Sequence, residues 1–334
     1  MKNVKINFVG FWETFNKTDN FLVNALRTRF DVEITDDPDY VFVSCFTNMF
    51  DFVNYRDAVR IFVSGEDLTP DFTFFDYSIG YGEVDYGDRF LFYPCFLYHE
   101  TWKQFDIPTP SREEAYALLR EKTLFCNFIY GEDDKNHIRS NFFNALSTYK
   151  HVDSFGTFLN NQPGGKAVSY LNLIEKIQAQ QKCKFSIVVE CENFENYVTE
   201  KIHHAILAGT IPIYFGTRQV ATIFNKRRFI DASDFDSIPA LVDYIKDIDE
   251  NDDLFVSTIS EKAFVDDEYV EKQNGYLEAF LHNIFSQTKN KAFRRAVLSK
   301  SLERIEKKLY IENQIAKTLP YKLIRRLFKK RYMW

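Results

Sequence analysis

A chain of 334 residues has room for two domains of ordinary size, and its balance of 45% hydrophobic and 27% charged residues excludes wholesale disorder. Its cysteines, Cys45, Cys95, Cys126, Cys183 and Cys191, are odd in number and lack paired metal-ligand spacing, which points to a reducing compartment rather than to a disulfide framework or a zinc site. The net charge of −6 is unevenly placed: residues 291–334 hold 14 Lys and Arg against 3 Asp and Glu, net +11, and the rest of the chain 28 against 45, net −17.

The opening MKNVKINFVGFW contains no apolar run long enough for a signal peptide or a membrane span, so a cytoplasmic protein is expected. Apolar runs at Lys5–Val9, Val32–Ile34, Tyr40–Cys45 and Arg60–Ser64 have strand character, and Phe21–Arg29 has helical spacing. This alternation predicts a Rossmann-like α/β lobe over residues 1–118. No glycine-rich phosphate fingerprint follows the first strand, so no nucleotide is expected there. After the fourth run, Gly65-Glu66-Asp67 sets a carboxylate at the carboxyl end of a strand, where ligands of parallel sheets bind. Glu66 is the best candidate for a general base; the competing reading makes Glu66 and Asp67 exposed turn residues. Ser111 and Glu114 have the spacing of a capping box and predict a helix start.

A second α/β lobe is expected over residues 119–285. Its strand Thr123–Ile129 leads through the acidic loop Gly131–Asp134 into a helix, Lys135–Lys150, with Arg139 on the first turns, either reaching a phosphate or solvated. A strand ending at Gly156 and a helix over Tyr170–Gln180 come next. Residues 184–216 then read as strand (Phe185–Val189), helix (Val198–Ala208) and strand (Ile211–Phe215), one βαβ unit backed by a parallel sheet. Asn193, Tyr197, Thr199, Glu200 and Lys201 crowd the helix start. A cation, a carboxylate and hydrogen-bonding groups over one turn suit a nucleotide sugar, with Lys201 on phosphate and Glu200 on ribose hydroxyls. The alternative is a plain capped helix, with Thr199 or Asn196 as cap.

Asp234-Phe235-Asp236 has the form of a metal-binding Asp-x-Asp motif. The same pattern recurs at residues 37–39 and 247–249, and Asp236-Ser237 precedes a helix as a cap does, so no metal site is expected. His203 and His204 are adjacent on one helix and cannot both face one ligand. Residues 264–313 are helical and charged, and the end, residues 320–334, carries six basic and no acidic residues, with Leu323, Ile324, Leu327 and Phe328 on one face. This composition predicts a helical basic tail from residue 286 that lies on an anionic membrane surface. The rival readings are a solvated tail and nucleic-acid binding, and the latter is not expected because the apolar face has no use on a phosphate backbone.

Cys191-Glu192-Asn193, Tyr197-Val198-Thr199-Glu200-Lys201 and Gly209 to Gly216 together resemble the signature of the bacterial α-1,3-fucosyltransferases, glycosyltransferase family ten. Gly65-Glu66-Asp67, Pro70-Asp71-Phe72, Phe75-Asp76-Tyr77, Ile138-Arg139 and Asp153-Ser154-Phe155-Gly156 are similar to further motifs of that family, in the right order. The resemblance implies a GT-B fold, two Rossmann-like domains facing a cleft with C-terminal helices, and GDP-fucose as donor, with no metal or other cofactor. It implies Glu66 as general base, Arg139 and Lys201 on the diphosphate, Glu200 on ribose, and Asn193 and Tyr197 lining the donor site. The implied reaction is an inverting transfer of fucose to the 3-hydroxyl, or alternatively the 4-hydroxyl, of N-acetylglucosamine in a β-galactoside glycan such as lipopolysaccharide bearing Lewis-type antigens. The implied place is the cytoplasmic face of the inner membrane. Two other readings stay open, a GT-B transferase with another nucleotide sugar and a non-catalytic glycan- or membrane-binding protein of the same fold.

Overall fold

The computed structural model describes residues 1–47, 49–82, 84–98, 107, 109–168, 172–190, 196–295 and 300–318. Packing divides the chain into two compact units, Met1–Tyr93 with Gln273–Trp334, and Pro94–Lys272.

The first unit begins with β1 (Lys2–Val9), α1 (Phe21–Arg27), β2 (Phe30–Ile34), β3 (Tyr40–Val43), β4 (Val59–Val63), β5 (Tyr77–Gly80) and β6 (Phe90–Phe92). The strands pair in parallel in the order β2-β1-β3-β4-β5-β6. Every residue of β3 and β4 is buried, the pattern of parallel strands covered on both faces. α1 starts where the Asn20 side chain accepts hydrogen bonds from the N–H groups of Leu22 and Val23. The apolar runs predicted the first four strands. β5 and β6 escaped that reading because they are only four and three residues long and lie among Asp- and Gly-rich turns, too short to show a period.

The second unit runs through α2 (Arg112–Glu121), β7 (Leu124–Phe128), α3 (Ile138–Tyr149), β8 (Val152–Ser154), α4 (Leu173–Gln181), β9 (Cys183–Val189), α5 (Glu200–Leu207), β10 (Ile211–Phe215), α6 (Val220–Ile223), β11 (Ile230–Asp231), α7 (Ile238–Asp249) and α8 (Asp252–Ile259). The capping box is formed: Ser111 Oγ accepts from the Glu114 N–H at 3.3 Å, and the Glu114 carboxylate accepts from the Ser111 N–H at 2.8 Å. The sheet order is β11-β10-β9-β7-β8, all parallel. From β7 the chain steps outward to β8 and then back across to β9, so the carboxyl ends of β7 and β9 flank a topological switch point. Phe128, Phe142, Leu146, Phe185, Ile187, Ile213 and Phe255 fill the core beneath it. Gly156 lies so near the end of β7 that a Cβ there would meet the Tyr130 carbonyl oxygen at 2.1 Å, so only glycine allows this approach. In the Asp234-Phe235-Asp236 stretch, Asp234 pairs with Lys226 at 2.9 Å on the surface, and Ser237 caps α7.

The first unit resumes within α9 (Tyr269–Ser286) and closes with α10 (Lys289–Ala292) and α11 (Lys300–Ala316). Phe285 stacks on Tyr40 at 4.2 Å, and Leu309 packs against the cluster of Val41, Val43, Phe52, Phe62 and Phe75. The compact units divide elsewhere than at residues 118 and 285: residues 94–118 fall in the second unit and 273–334 in the first, where buried charges of Arg295 and Glu306 tie the segment after α10, and α11 itself, to the first sheet. Asp76, wholly buried, accepts from the backbone N–H of Arg60 at 2.8 Å and from those of Arg294 and Arg295 at 2.7 Å, and pairs with the Arg295 guanidinium. Arg60, also wholly buried on β4, donates to Glu306 of α11 at 2.7 Å and lies over the Phe52 ring at 4.8 Å.

Candidate functional site

Of the residues predicted around the start of α5, Thr199, Glu200 and Lys201 stand at the switch point of the second unit. Thr199 is the N-cap, its Oγ1 accepting from the Lys201 N–H at 3.4 Å. The capped-helix reading is thus met with Thr199 as the cap, and the Lys201 ammonium lies beside it. It donates to Thr199 Oγ1 at 3.0 Å and to Glu190 Oε2 at 2.9 Å. Glu190 stands directly after β9 with its side chain fully excluded from solvent, and it also takes the N–H of Thr199 at 3.0 Å.

Glu200 faces a second lysine. Lys176 of α4 holds its ammonium 3.8 Å from Glu200 Oε1. Burial pushes the Lys176 ammonium down, and the Glu200 charge partly offsets that shift. The same burial pushes the Glu200 carboxyl up, but the nearby charges of Lys201 and Lys176 outweigh it and hold the group well below the usual carboxylate range. Glu200 is therefore ionised and its side chain is 34% exposed, an acceptor open to hydroxyl donors.

Arg139 arrives from the other side of the switch point. It is buried on the first turn of α3, its guanidinium 4.5 Å from the Tyr130 ring centroid and donating to the Glu132 carbonyl at 2.9 Å, which removes the solvated reading. The acidic loop before it caps the helix. Asp134 accepts from the N–H groups of Asn136, Ile138 and Arg139; burial pushes its carboxyl up, and these donors bring it below the usual range. Tyr130 links the two sides, accepting from the Val189 N–H at 2.7 Å and donating to the Ile187 carbonyl at 3.1 Å. Burial raises its hydroxyl to about 12, against the lowering field of Lys201 and Arg139, both near enough to act on it.

Tyr197 is buried at 2% exposure, inside the unit, just before the cap. Asn193 and Cys191 lie outside the described residues. His203 is a core histidine, stacked on Phe96 at 5.3 Å, and burial lowers it to about 4. Sequence reasoning missed Glu190 and Lys176. Glu190 shares with Glu66 a place at the carboxyl end of a strand but lacks the preceding glycine that marked Glu66, and nothing local marks Lys176, whose burial depends on how α4 packs. The assembly offers three cations and an ionised, exposed carboxylate at the carboxyl ends of parallel strands, chemistry suited to a ligand with both phosphate and hydroxyl groups.

Glu66 stands at the carboxyl end of the first sheet, exposed, three residues beyond the last residue of β4. The Ser64 hydroxyl accepts from the Glu66 N–H at 3.2 Å and donates to the Glu66 carbonyl at 2.7 Å, a local clamp on the turn. Burial raises the thiol of Cys45, which follows β3, and the Glu66 charge raises it further, so the two side chains share this mouth. Across the neighbouring strand ends, Trp12 meets Phe46 edge to face at 5.4 Å.

Residues 6–99 match the N-terminal domain family of alpha-(1,3)-fucosyltransferase FucT, and residues 119–279 match the C-terminal domain of glycosyltransferase family 10 (fucosyltransferase). The chain is 27% identical over 292 residues to alpha-(1,3)-fucosyltransferase FucT of Helicobacter pylori, a match covering 77% of this chain and 60% of that protein. It is 32% identical over 145 residues to 4-galactosyl-N-acetylglucosaminide 3-alpha-L-fucosyltransferase 9 of Mus musculus, covering 43% of this chain and 38% of that one. It thus spans 60% or less of the length of these relatives. A crystal structure of an alpha1,3-fucosyltransferase superposes with a TM-score of 0.67 at 26% identity, over 84% of this chain and 91% of that one. A crystal structure of alpha1,3-fucosyltransferase with GDP-fucose superposes with a TM-score of 0.65 at 25% identity, over 85% and 92%. With two parallel, Rossmann-like sheets of the GT-B class, this chain belongs to glycosyltransferase family 10, the fucosyltransferases.

Proposed function

We propose that the protein transfers L-fucose from GDP-β-L-fucose to the 3-hydroxyl of an N-acetylglucosamine residue in a β-galactoside glycan, with inversion. The observation that carries the reading is the cluster at the switch point, Lys201 with Glu190 and Glu200 with Lys176, beside Arg139. It is supported by the similarity to an alpha1,3-fucosyltransferase that binds GDP-fucose and to a relative named for 4-galactosyl-N-acetylglucosaminide. In this reading the acceptor hydroxyl oxygen bonds to the anomeric carbon while the bond to the GDP oxygen breaks. Glu66 takes the hydroxyl proton. Arg139 and Lys201 meet the negative charge that grows on the departing diphosphate. Glu200 accepts from the ribose hydroxyls and Asn193 lines the donor site, with Tyr197 buried behind it just before the cap. Lipopolysaccharide carrying Lewis-type structures is the proposed acceptor class.

The test is a panel of GDP-fucose, GDP-mannose and UDP-galactose with β-galactosyl-N-acetylglucosamine, products being read by mass spectrometry and linkage analysis. Product is expected from GDP-fucose alone and 1,3-linked. Transfer from another donor makes the protein a different GT-B transferase, and no transfer with no GDP-induced rise in Tm makes it a non-catalytic relative.

The basic residues of 320–334, which lie outside the described residues, support a place on the cytoplasmic face of the inner membrane. No helix among the described residues is long and apolar enough to cross a membrane. The chain is expected to float with phosphatidylglycerol vesicles and to lose that binding on deletion of residues 320–334; equal binding by the deleted chain removes this role.

A further inference from the structure

We propose that Glu190 is a positioning residue for fucosyl transfer: it fixes the Lys201 ammonium at the place of the departing diphosphate without itself touching the donor. The proposal rests on the reading of Lys201 as a diphosphate contact. The Glu190 side chain is fully out of solvent, so its charge must be met inside the protein. Both oxygens are engaged. Oε1 accepts from the Thr199 N–H at 3.0 Å and from Thr199 Oγ1 at 2.8 Å, and Oε2 accepts from Lys201 Nζ at 2.9 Å. Thr199 Oγ1 takes a second proton of the same ammonium at 3.0 Å, so the head of Lys201 is held between two oxygens at the helix cap. The lysine is still 22% exposed, which keeps it open to a ligand. A free lysine stem samples many rotamers, and this pairing selects one.

A capping role alone does not account for Glu190. Thr199 already supplies the side-chain bond to the Lys201 N–H, which is what a cap requires. Glu190 is in turn locked from the other side. Its N–H donates to the Phe215 carbonyl at 3.0 Å, and a Cβ on Gly216 would fall 3.1 Å from Glu190 Cγ, so the turn after β10 closes directly over the carboxylate stem.

The full chain carrying Glu190→Gln, Lys201→Ala or both is assayed with GDP-fucose and acceptor, alongside GDP affinity by calorimetry. Glu190→Gln keeps the shape and the bond to the Thr199 N–H but removes the charge that holds the ammonium. Its kcat is expected to fall about 10- to 100-fold, the size of a misplacement on the order of 1 Å, with GDP affinity held within a few-fold. In the Lys201→Ala background the same substitution should lower kcat no further, because the group it places is gone. Undiminished kcat in Glu190→Gln, or an equal fall in both backgrounds, overturns the proposal. Should Glu190→Gln fail to fold, Glu190→Asp keeps the charge but withdraws it by one methylene, and its loss of kcat must show the same dependence on Lys201. Undiminished kcat and GDP affinity in Lys201→Ala would instead remove the donor-site reading beneath it.

Discussion

Glu66→Gln is expected to lower turnover by about 10²- to 10⁴-fold while GDP binding stays intact, the loss that follows from removing a general base. The amide keeps the size of the side chain but cannot take a proton from the acceptor hydroxyl. The backbone clamp from Ser64 does not involve the Glu66 side chain, so the turn should survive the substitution. Glu66 belongs to the first unit and the cluster around Lys201 to the second, which is why donor binding and proton removal should separate cleanly in the variant. A radiolabelled fucose-transfer assay with calorimetric titration of GDP measures both. Undiminished turnover takes Glu66 out of the reaction, and loss of GDP binding makes it a donor contact instead of a base.

Asp76→Ala should destabilise the first unit by about 3–5 kcal/mol, because it leaves the Arg295 guanidinium buried without its carboxylate. The backbone N–H groups of Arg60, Arg294 and Arg295 lose their acceptor in the same change. Against a total stability of roughly 5–15 kcal/mol this is enough to loosen the hold of α10 and α11 on the sheet. Urea unfolding gives the free energy, and limited trypsin digestion over residues 289–316 shows whether those helices come away. A change below about 1 kcal/mol would place Asp76 among replaceable surface-type pairs. A cost of the expected size makes the Phe75-Asp76-Tyr77 motif a structural anchor rather than a ligand contact, in keeping with Asp76 lying wholly buried among arginines of its own chain.

The alternation of short apolar runs with helical spacing was enough to set out two parallel α/β sheets, and local chemistry marked the helix starts at Ser111, Thr199 and Ser237. These signals depend on neighbours within one or two turns, so they can be read along a line. The rule that ligands gather at the carboxyl ends of parallel strands picked out Glu66 and the start of α5 for the same reason. What only the tertiary structure decided was which charges are withdrawn from water and what meets them. Glu190 and Lys201 are 11 positions apart, and Asp76 and Arg294 are 218 apart. Lys176 and Arg60 are buried on α4 and β4, and nothing in their local sequence marks them for it. Periodicity records which face of an element is apolar, but the cost of burying a charge is set by elements that arrive from elsewhere in the chain, so no local pattern carries it.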